Sequence, residues 1–167
     1  NPSGKLTDTW PKAYCDTPSY KNYGGENKEV WYGEGIYVGY RWYDARKIEP
    51  LFPFGYGLSY TSFAFSDLQV EDTDVEKEDI MVKVSVENTG NMAGAEVVQL
   101  YVASPKSSFD KPEKELKGFQ KVYLQPGEKT EVTLTVSKED LAHYHTALEE
   151  FVTESGTYRI LVGNSSR

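Results

Sequence analysis

The chain has 167 residues, of which 38% are hydrophobic and 26% charged, a composition typical of a globular protein and not of a disordered or fibrous one. It carries 26 acidic and 18 basic residues, and the net charge of -8 would repel nucleic acid and anionic membranes, so neither is expected as a partner. The single cysteine, Cys15, excludes an internal disulfide, and no motif predicts a cofactor.

Aromatic residues are concentrated at the start of the chain, where 14 of them lie within the first sixty positions. From residue 1 to residue 27, Pro and Gly interrupt every helical or strand period, which predicts an extended loop. Its rings would be poorly placed in water, so we expect this loop to lie against another body. The chain opens on Asn1 without a leader sequence, and we expect it to be a piece of a longer protein.

Two further segments complete this aromatic-rich part. Residues 34–43 alternate apolar and other bulky side chains with a period of two, which predicts a strand buried on both faces. Residues 50–60 alternate aromatic residues with Pro and Gly, a pattern that favours a rigid connector between two domains.

The rest of the chain predicts seven short strands separated by turns. They are expected around residues 63–70, 80–86, 97–103, 116–124, 132–136, 150–153 and 158–162. The acidic run Glu71 to Asp79 is expected to be a solvated turn, and Ser137 with Asp140 to cap one helical turn. This spacing indicates a mainly β, antiparallel sandwich of the immunoglobulin or fibronectin type III kind, and the absence of a Cys-Trp-Cys pattern argues against a true immunoglobulin domain.

Several stretches of the sequence resemble a known family. The runs EGIYVGYRWYD at 34–44 and PLFPFGYGLSYT at 50–61 resemble the C-terminal region of glycoside hydrolase family 3 enzymes, the β-glucosidases and their relatives. NPSGKL at 1–6 resembles the end of that family's α/β sandwich domain, and VENTG at 86–90, GAEVVQLYV at 94–102 and KELKGF at 114–119 resemble its fibronectin type III-like domain.

The resemblance implies a division of the chain and a role for it. Residues 1–48 would be the C-terminal remnant of the α/β sandwich domain, 49–62 an inter-domain connector and 63–167 the fibronectin type III-like domain. Enzymes of this family are retaining glycosidases that use a pair of carboxylates, and both motifs that supply them are missing from this chain. We therefore expect no catalytic residue here, a structural role, and the missing catalytic domains as the partner.

Charged and aromatic residues of the strongest motif are the candidate site residues. Glu34, Arg41 and Asp44 are interpreted either as ligands of sugar hydroxyls or as a buried charge network that holds the predicted strand to the connector. The aromatic side chains allow two readings as well: a packing seam between two lobes, or a platform that binds oligosaccharide through Trp31 and Trp42. The seam would include Tyr40, Trp42, Phe52, Phe54, Tyr56 and Tyr60.

Three remaining motifs predict little function. Residues 24–27, Gly-Gly-Glu-Asn, are expected to form a plain turn and not a phosphate-binding loop. His143 and His145 have the spacing of metal ligands on a strand, but no third ligand accompanies them, so no metal site is predicted. The sequon at Asn164 is interpreted as a chance occurrence, and the compartment is left open between the bacterial cytoplasm and secretion.

Overall fold

A computed structural model describes residues 1–71 and 74–167 of the chain. Over these residues there are eight strands: β1 (Phe63–Val70), β2 (Ile80–Asn88), β3 (Gly94–Ala103), β4 (Glu115–Leu124), β5 (Lys129–Val136), β6 (His143–His145), β7 (Glu150–Val152) and β8 (Arg159–Gly163). The helical elements are a 3₁₀ turn (Tyr14–Asp16), α1 (Tyr40–Ala45) and α2 (Lys138–Leu141). No helix within the described ranges has the length and apolar character needed to cross a membrane.

Two three-stranded antiparallel sheets, in the orders β1-β2-β5 and β4-β3-β8, form a sandwich. Alternate residues of each strand point into the space between the sheets, so Val84 of β2, Leu100 of β3 and Val132 of β5 are 3%, 0% and 1% exposed. Because the strands alternate apolar and polar residues, one face of each sheet closes the core and the other faces outward. The predicted fold class, a mainly β sandwich of fibronectin type III-like topology, is confirmed.

Strand β3 is covered on both faces, as its nearly continuous apolar sequence predicts. Val98, Leu100 and Val102 face the opposing sheet and belong to the core. Gln99 and Tyr101 lie on the other face, and they are only 3% and 2% exposed because residues 40–55 cover them. The outer face of β3 is therefore the floor on which the aromatic-rich part of the chain rests.

Turns and bulges fall close to where the sequence predicts them. The pairing of β3 with β4 shifts by one residue between Gly118 and Leu116, which places a bulge within the strand predicted at residues 116–124. Residues 74–79 of the acidic run form turns, with the Lys77 amide donating to the Asp74 carbonyl at 2.8 Å. The predicted turn also includes Asp72 and Thr73, which lie outside the described residues.

The prediction of a doubly buried strand over residues 34–43 is wrong. Gly35 and Gly39 have φ of +58° and +57°, which interrupts an extended strand, and Tyr40 begins helix α1. Tyr40, Tyr43 and Asp44 are the buried residues of this helix, and their spacing of three and four is the helical period. Ile36 and Val38 are 47% and 58% exposed instead of buried.

Strand β6 is not among the predicted strands. Residues 143–145 pair with β7 in a separate two-stranded sheet, so the described residues hold eight strands instead of the expected seven. Three residues are too few to show a period of two, and the segment follows directly on helix α2. That helix has the predicted cap, in which the Ser137 hydroxyl accepts a hydrogen bond from the Asp140 amide at 3.2 Å.

The first ten residues lie along the predicted connector. The Leu6 amide donates to the Tyr56 carbonyl at 2.8 Å, and the Gly55 amide donates to the Leu6 carbonyl at 2.7 Å. Trp10 and Phe52 form an isolated antiparallel bridge farther along. The connector is thus packed between the start of the chain and the outer face of β3.

Candidate functional site

The surface of residues 10–60 carries a concentration of apolar side chains that this fold leaves exposed. We call it the aromatic face and define it by Trp10, Tyr14, Tyr20, Tyr23, Val30, Trp31, Tyr32, Ile36, Val38, Leu51, Leu58 and Tyr60. Its most exposed members are Tyr32, Tyr23 and Trp31, at 81%, 78% and 72%. Single exposed apolar residues are ordinary on protein surfaces, whereas a set concentrated in one segment indicates a contact surface.

A tight turn precedes three consecutive residues of this face. Asn27 and Lys28 have φ of +53° and +67°, and the amides and carbonyls of Glu26 and Glu29 exchange hydrogen bonds of 3.0 and 2.9 Å. Two successive residues with positive φ form the kind of turn that joins hairpin strands. This turn overlaps the one predicted at residues 24–27, and it leads directly into Val30, Trp31 and Tyr32.

The connector contributes a row of packed rings beside the exposed ones. Trp10 meets Phe52 edge-on with ring centroids 6.2 Å apart, and Phe52 lies 4.9 Å from Tyr56. An apolar groove of about 520 Å³ runs beside these three rings and Leu58. Phe52 and Tyr56 are half-buried, whereas Tyr60, later in the connector, is 71% exposed. The aromatic residues of the connector thus become more exposed toward Tyr60.

Helix α1 is attached to the sandwich by Tyr40. Its ring packs against Phe54 at 5.2 Å and Tyr101 at 5.9 Å, and its hydroxyl accepts a hydrogen bond of 2.8 Å from the Leu116 amide. Burial raises the pKa of Tyr101 far above its ordinary value, so this phenol stays protonated and can donate. The three rings thus join the helix, the connector and β3.

Ion pairs hold the other side of α1. Asp44 is 3% exposed and pairs with Lys114 at 2.7 Å and with Arg167 at 3.3 Å. Arg41, one turn earlier, pairs with Glu115 at 3.1 Å. The predicted network would hold this segment to the connector, but these partners lie at the start of β4 and in the C-terminal tail.

A buried polar network fixes the connector at Gly55. The Gln99 side chain donates to the Asn164 carbonyl at 2.9 Å and accepts from the Tyr101 hydroxyl at 2.5 Å. Gly55 lies so close that a Cβ atom there would come within 2.5 Å of the Gln99 side-chain nitrogen. The φ of +80° at Gly55 also disfavours any other residue, so the glycine is required by both backbone and space.

The remaining predicted site residues differ in how open they are. Trp42 is half-buried: its indole nitrogen donates to the Asp16 carbonyl at 3.0 Å, and the Arg46 guanidinium lies 4.8 Å from the ring centroid. Glu34 is half-buried as well, and its carboxylate makes no hydrogen bond or ion pair within the described part of the chain. Trp31 is therefore the more open of the two predicted sugar-stacking rings.

Sequence reasoning missed the sandwich residues that receive α1 and the connector, chiefly Gln99, Lys114, Glu115 and Arg167. The only signal was the alternation of charge at residues 113–115, Glu-Lys-Glu, which matches opposite charges on and after α1. The Lys47 ammonium pairs with Glu113, and the Tyr37 hydroxyl donates to Asp110. This bond raises the pKa of Tyr37, because it stabilises the protonated phenol.

The comparison with protein families first identifies the class of the sandwich. Residues 96–166 match the fibronectin type III-like domain family. This match begins within β3 and runs to the end of the C-terminal tail, and it agrees with the two antiparallel sheets described above. The chain therefore contains a fibronectin type III-like domain.

The whole chain, including the aromatic face, is similar to part of several β-glucosidases. It is 54% identical over 168 residues to the thermostable β-glucosidase B of Acetivibrio thermocellus, of which it covers 22%, and 47% identical to the probable β-glucosidase K of Emericella nidulans, of which it covers 19%. All of this chain is matched in both cases. The chain thus spans about a fifth of the length of these relatives.

Solved structures show the same similarity in three dimensions. A glycoside hydrolase family 3 β-glucosidase from Bifidobacterium adolescentis superposes with a TM-score of 0.93 at 41% identity, over 99% of this chain and 24% of that one. β-Glucosidase 3B of Thermotoga neapolitana, solved with glucose, superposes with a TM-score of 0.91 at 49% identity, over 99% and 23%. The resemblance to family 3 β-glucosidases predicted from the sequence is confirmed.

Proposed function

We propose that this chain is a non-catalytic, structural part of a family 3 β-glucosidase and that its aromatic face binds the lobes that carry the active site. The longer protein would remove terminal β-linked sugars with retention of configuration, by means of two carboxylates outside this chain. The sandwich, through its contacts with helix α1 and the connector, would hold the aromatic face in a fixed position against those lobes.

The observation that carries this proposal is the contrast between the two parts of the chain. The sandwich closes its own core, with Val82, Val86 and Val98 fully buried, whereas Trp31, Tyr32 and Tyr23 remain more than two-thirds exposed. Covering apolar surface stabilises a complex by roughly 25 cal/mol per Å², so burial of a few such rings contributes several kcal/mol. A lobe that packs against these rings would bury them.

Truncation of the longer protein tests the proposal. A variant that ends before residue 1 of this chain is expected to show a lower melting temperature and a lower yield of soluble enzyme, because the lobes would lose this contact surface. The same variant supplied with this chain as a separate polypeptide should regain part of the stability. A truncated enzyme of unchanged stability and activity would contradict the supporting role.

The absence of catalysis by the isolated chain is a separate part of the proposal. We expect no hydrolysis of an aryl β-glucoside by this chain, because the two carboxylates of the retaining mechanism lie in other domains. Turnover by the purified chain, lost when one of its own carboxylates is replaced, would show that it contains an active site.

The platform interpretation makes a different prediction that a titration can distinguish. If the exposed rings bound polysaccharide directly, soluble glucans would quench tryptophan fluorescence in a saturable way. That quenching would be lost in Trp31→Ala, since Trp31 is open and Trp42 is shielded by Arg46. The supporting role predicts no loss specific to Trp31.

A further inference from the structure

Two adjoining cavities include Glu34: the first lies between the aromatic-rich part and the sandwich, whereas the second lies within the aromatic-rich part. One, of about 630 Å³, is bounded by the 33–37 segment, Phe109, Asp110 and the β6 hairpin. The other, of about 580 Å³, is bounded by residues 15–22 and Ile48. Each volume falls in the range of ordinary small-ligand sites. Gly33, Glu34, Trp42 and Arg46 line both, so the two cavities form one cleft with a shared ridge.

Each cavity includes an exposed tyrosine that a second ring contacts edge-on. Tyr144 in the first cavity is 52% exposed and meets Phe151 edge-on at 5.4 Å. Tyr20 in the second is 44% exposed and meets Tyr14 edge-on at 5.1 Å. The cleft thus offers one braced aromatic ring in each half, which suits a ligand built from repeating units with flat apolar faces.

The charges on the cleft walls give no net preference for an anion or a cation. The carboxylates of Glu34 and Asp110 balance the cations of Arg46 and Lys21, so the lining has no net formal charge. At the ridge, however, Glu34 offers acceptors that no described residue uses, and Arg46, which also lines both cavities, offers several donors. A neutral ligand rich in hydroxyl groups can use both, because a hydroxyl both donates and accepts.

We propose that this cleft binds a linear oligosaccharide, with one sugar ring over Tyr144, one over Tyr20, and the linkage crossing the Glu34–Arg46 ridge. This site differs from an open platform at Trp31. The proposal does not rest on the supporting role proposed above, although the two share Tyr20, which also belongs to the aromatic face. A peptide segment, which lacks vicinal hydroxyls, would be the competing occupant.

Titration of the complete 167-residue chain with cellotriose, followed by ¹H–¹⁵N NMR, tests the proposal. We expect saturable shifts of the Trp42 indole and of the amides of residues 33–37. Glu34→Gln should weaken binding about tenfold, since it replaces a charged acceptor by a neutral one. Tyr20→Ala and Tyr144→Ala should each weaken it too, and the unaltered spectra elsewhere would show that these variants are folded.

Trp31→Ala is the matched control, because it removes an exposed ring outside the cleft lining described here, and it should leave the affinity unchanged. Three results would overturn the proposal: no saturable shift up to the solubility limit of the sugar, shifts that vanish in Trp31→Ala, or stronger saturation of the same resonances by triglycine. None of these results would alter the stability of the longer protein, so they leave the supporting role to its own test.

Discussion

Gly55 is required both by its backbone conformation and by the lack of space around it. We predict that Gly55→Ala lowers the free energy of unfolding by about 2 to 4 kcal/mol, because positive φ costs an alanine about 1 to 2 kcal/mol and the new methyl group must also displace Gln99. Gly35→Ala is the control, since Gly35 has φ of +58° but open space around it. Denaturant unfolding of both variants measures the difference, and equal losses would contradict the crowding at Gln99.

Asp44 gives a second prediction at this scale. Replacing it by Asn should cost about 1 to 3 kcal/mol of stability, because Lys114 and Arg167 would lose a buried carboxylate while remaining partly open to water. Asp67→Asn is the matched control: its pair with Lys129 is exposed on both sides, so solvent screens it and its loss should change stability much less than the loss of Asp44. Comparable losses in urea unfolding would show that burial of Asp44 has no special importance.

His143 predicts a pH dependence of stability. Its ring packs against Phe109 at 4.2 Å, and both ring nitrogens are buried without a hydrogen-bond partner among the described residues. Burial lowers the pKa of His143 below 6.5; nearby Lys111 and His145 lower it further, and the Glu154 and Glu115 carboxylates partly oppose them.

The direction of this pH dependence follows from the difference in proton binding between the folded and unfolded chain. The unfolded chain takes up a proton near pH 6.5, whereas the folded chain resists it, so stability is full above that pH and falls as the pH drops toward the lowered pKa. His143→Phe should flatten the stability curve between about pH 7.5 and 5. An unchanged slope in denaturant titrations across this range would contradict the burial of the imidazole.

At the scale of elements, strand alternation was the reliable sequence signal. It predicted β2 and β5 because Val82, Val84 and Val132 point to one core while their neighbours face outward. The same signal failed over residues 34–43, where apolar residues alternate by chance with glycines that adopt positive φ. Helix α1 has only six residues, and its stability comes from packing on β3 and β4, which no local pattern reveals.

The candidate site was predictable in its residue types but not in its partners. Aromatic excess and Pro-Gly punctuation predict a contact surface; Trp31 and Tyr60 are exposed, and their role in contacts stays a prediction. The pairing of Asp44 with Lys114 joins residues seventy positions apart, and contacts of that separation are set by the tertiary fold. The boundaries proposed at residues 48 and 62 remain predictions.

Helix α2 gives a prediction for a single element. Ser137→Ala removes the hydroxyl that accepts from the Asp140 amide, and it should lower stability by about 1 kcal/mol. Ser155→Ala, at an exposed position, is the control and should change stability by less than about 0.5 kcal/mol. Thermal unfolding of the two variants measures how much the cap contributes to stability. Equal effects of both substitutions would show that the cap does not stabilise the fold.

For the whole molecule, the contacts between the two parts explain how the sandwich can support the aromatic-rich part. The aromatic-rich part is attached to the sandwich by rings at Tyr40, ion pairs at Asp44 and the network at Gln99. The contacts of Tyr101 and Gln99 lie on the side of β3 that faces away from the core, and the ion pairs of Asp44 reach Lys114 and Arg167 outside it. The sandwich can therefore hold the aromatic face without using its own core residues. The exposed side is then free to contact another lobe.

The most direct test of the supporting role compares the same substitutions in two contexts. Val30→Ser, Trp31→Ser and Tyr32→Ser, made together, should leave the isolated chain almost unchanged because these side chains are already exposed, but they should lower the melting temperature of the longer protein by several degrees. Phe119→Ser with Tyr123→Ser, exposed on β4, is the matched control and should affect neither. An equal melting temperature for the longer protein with and without the triple substitution would contradict the account.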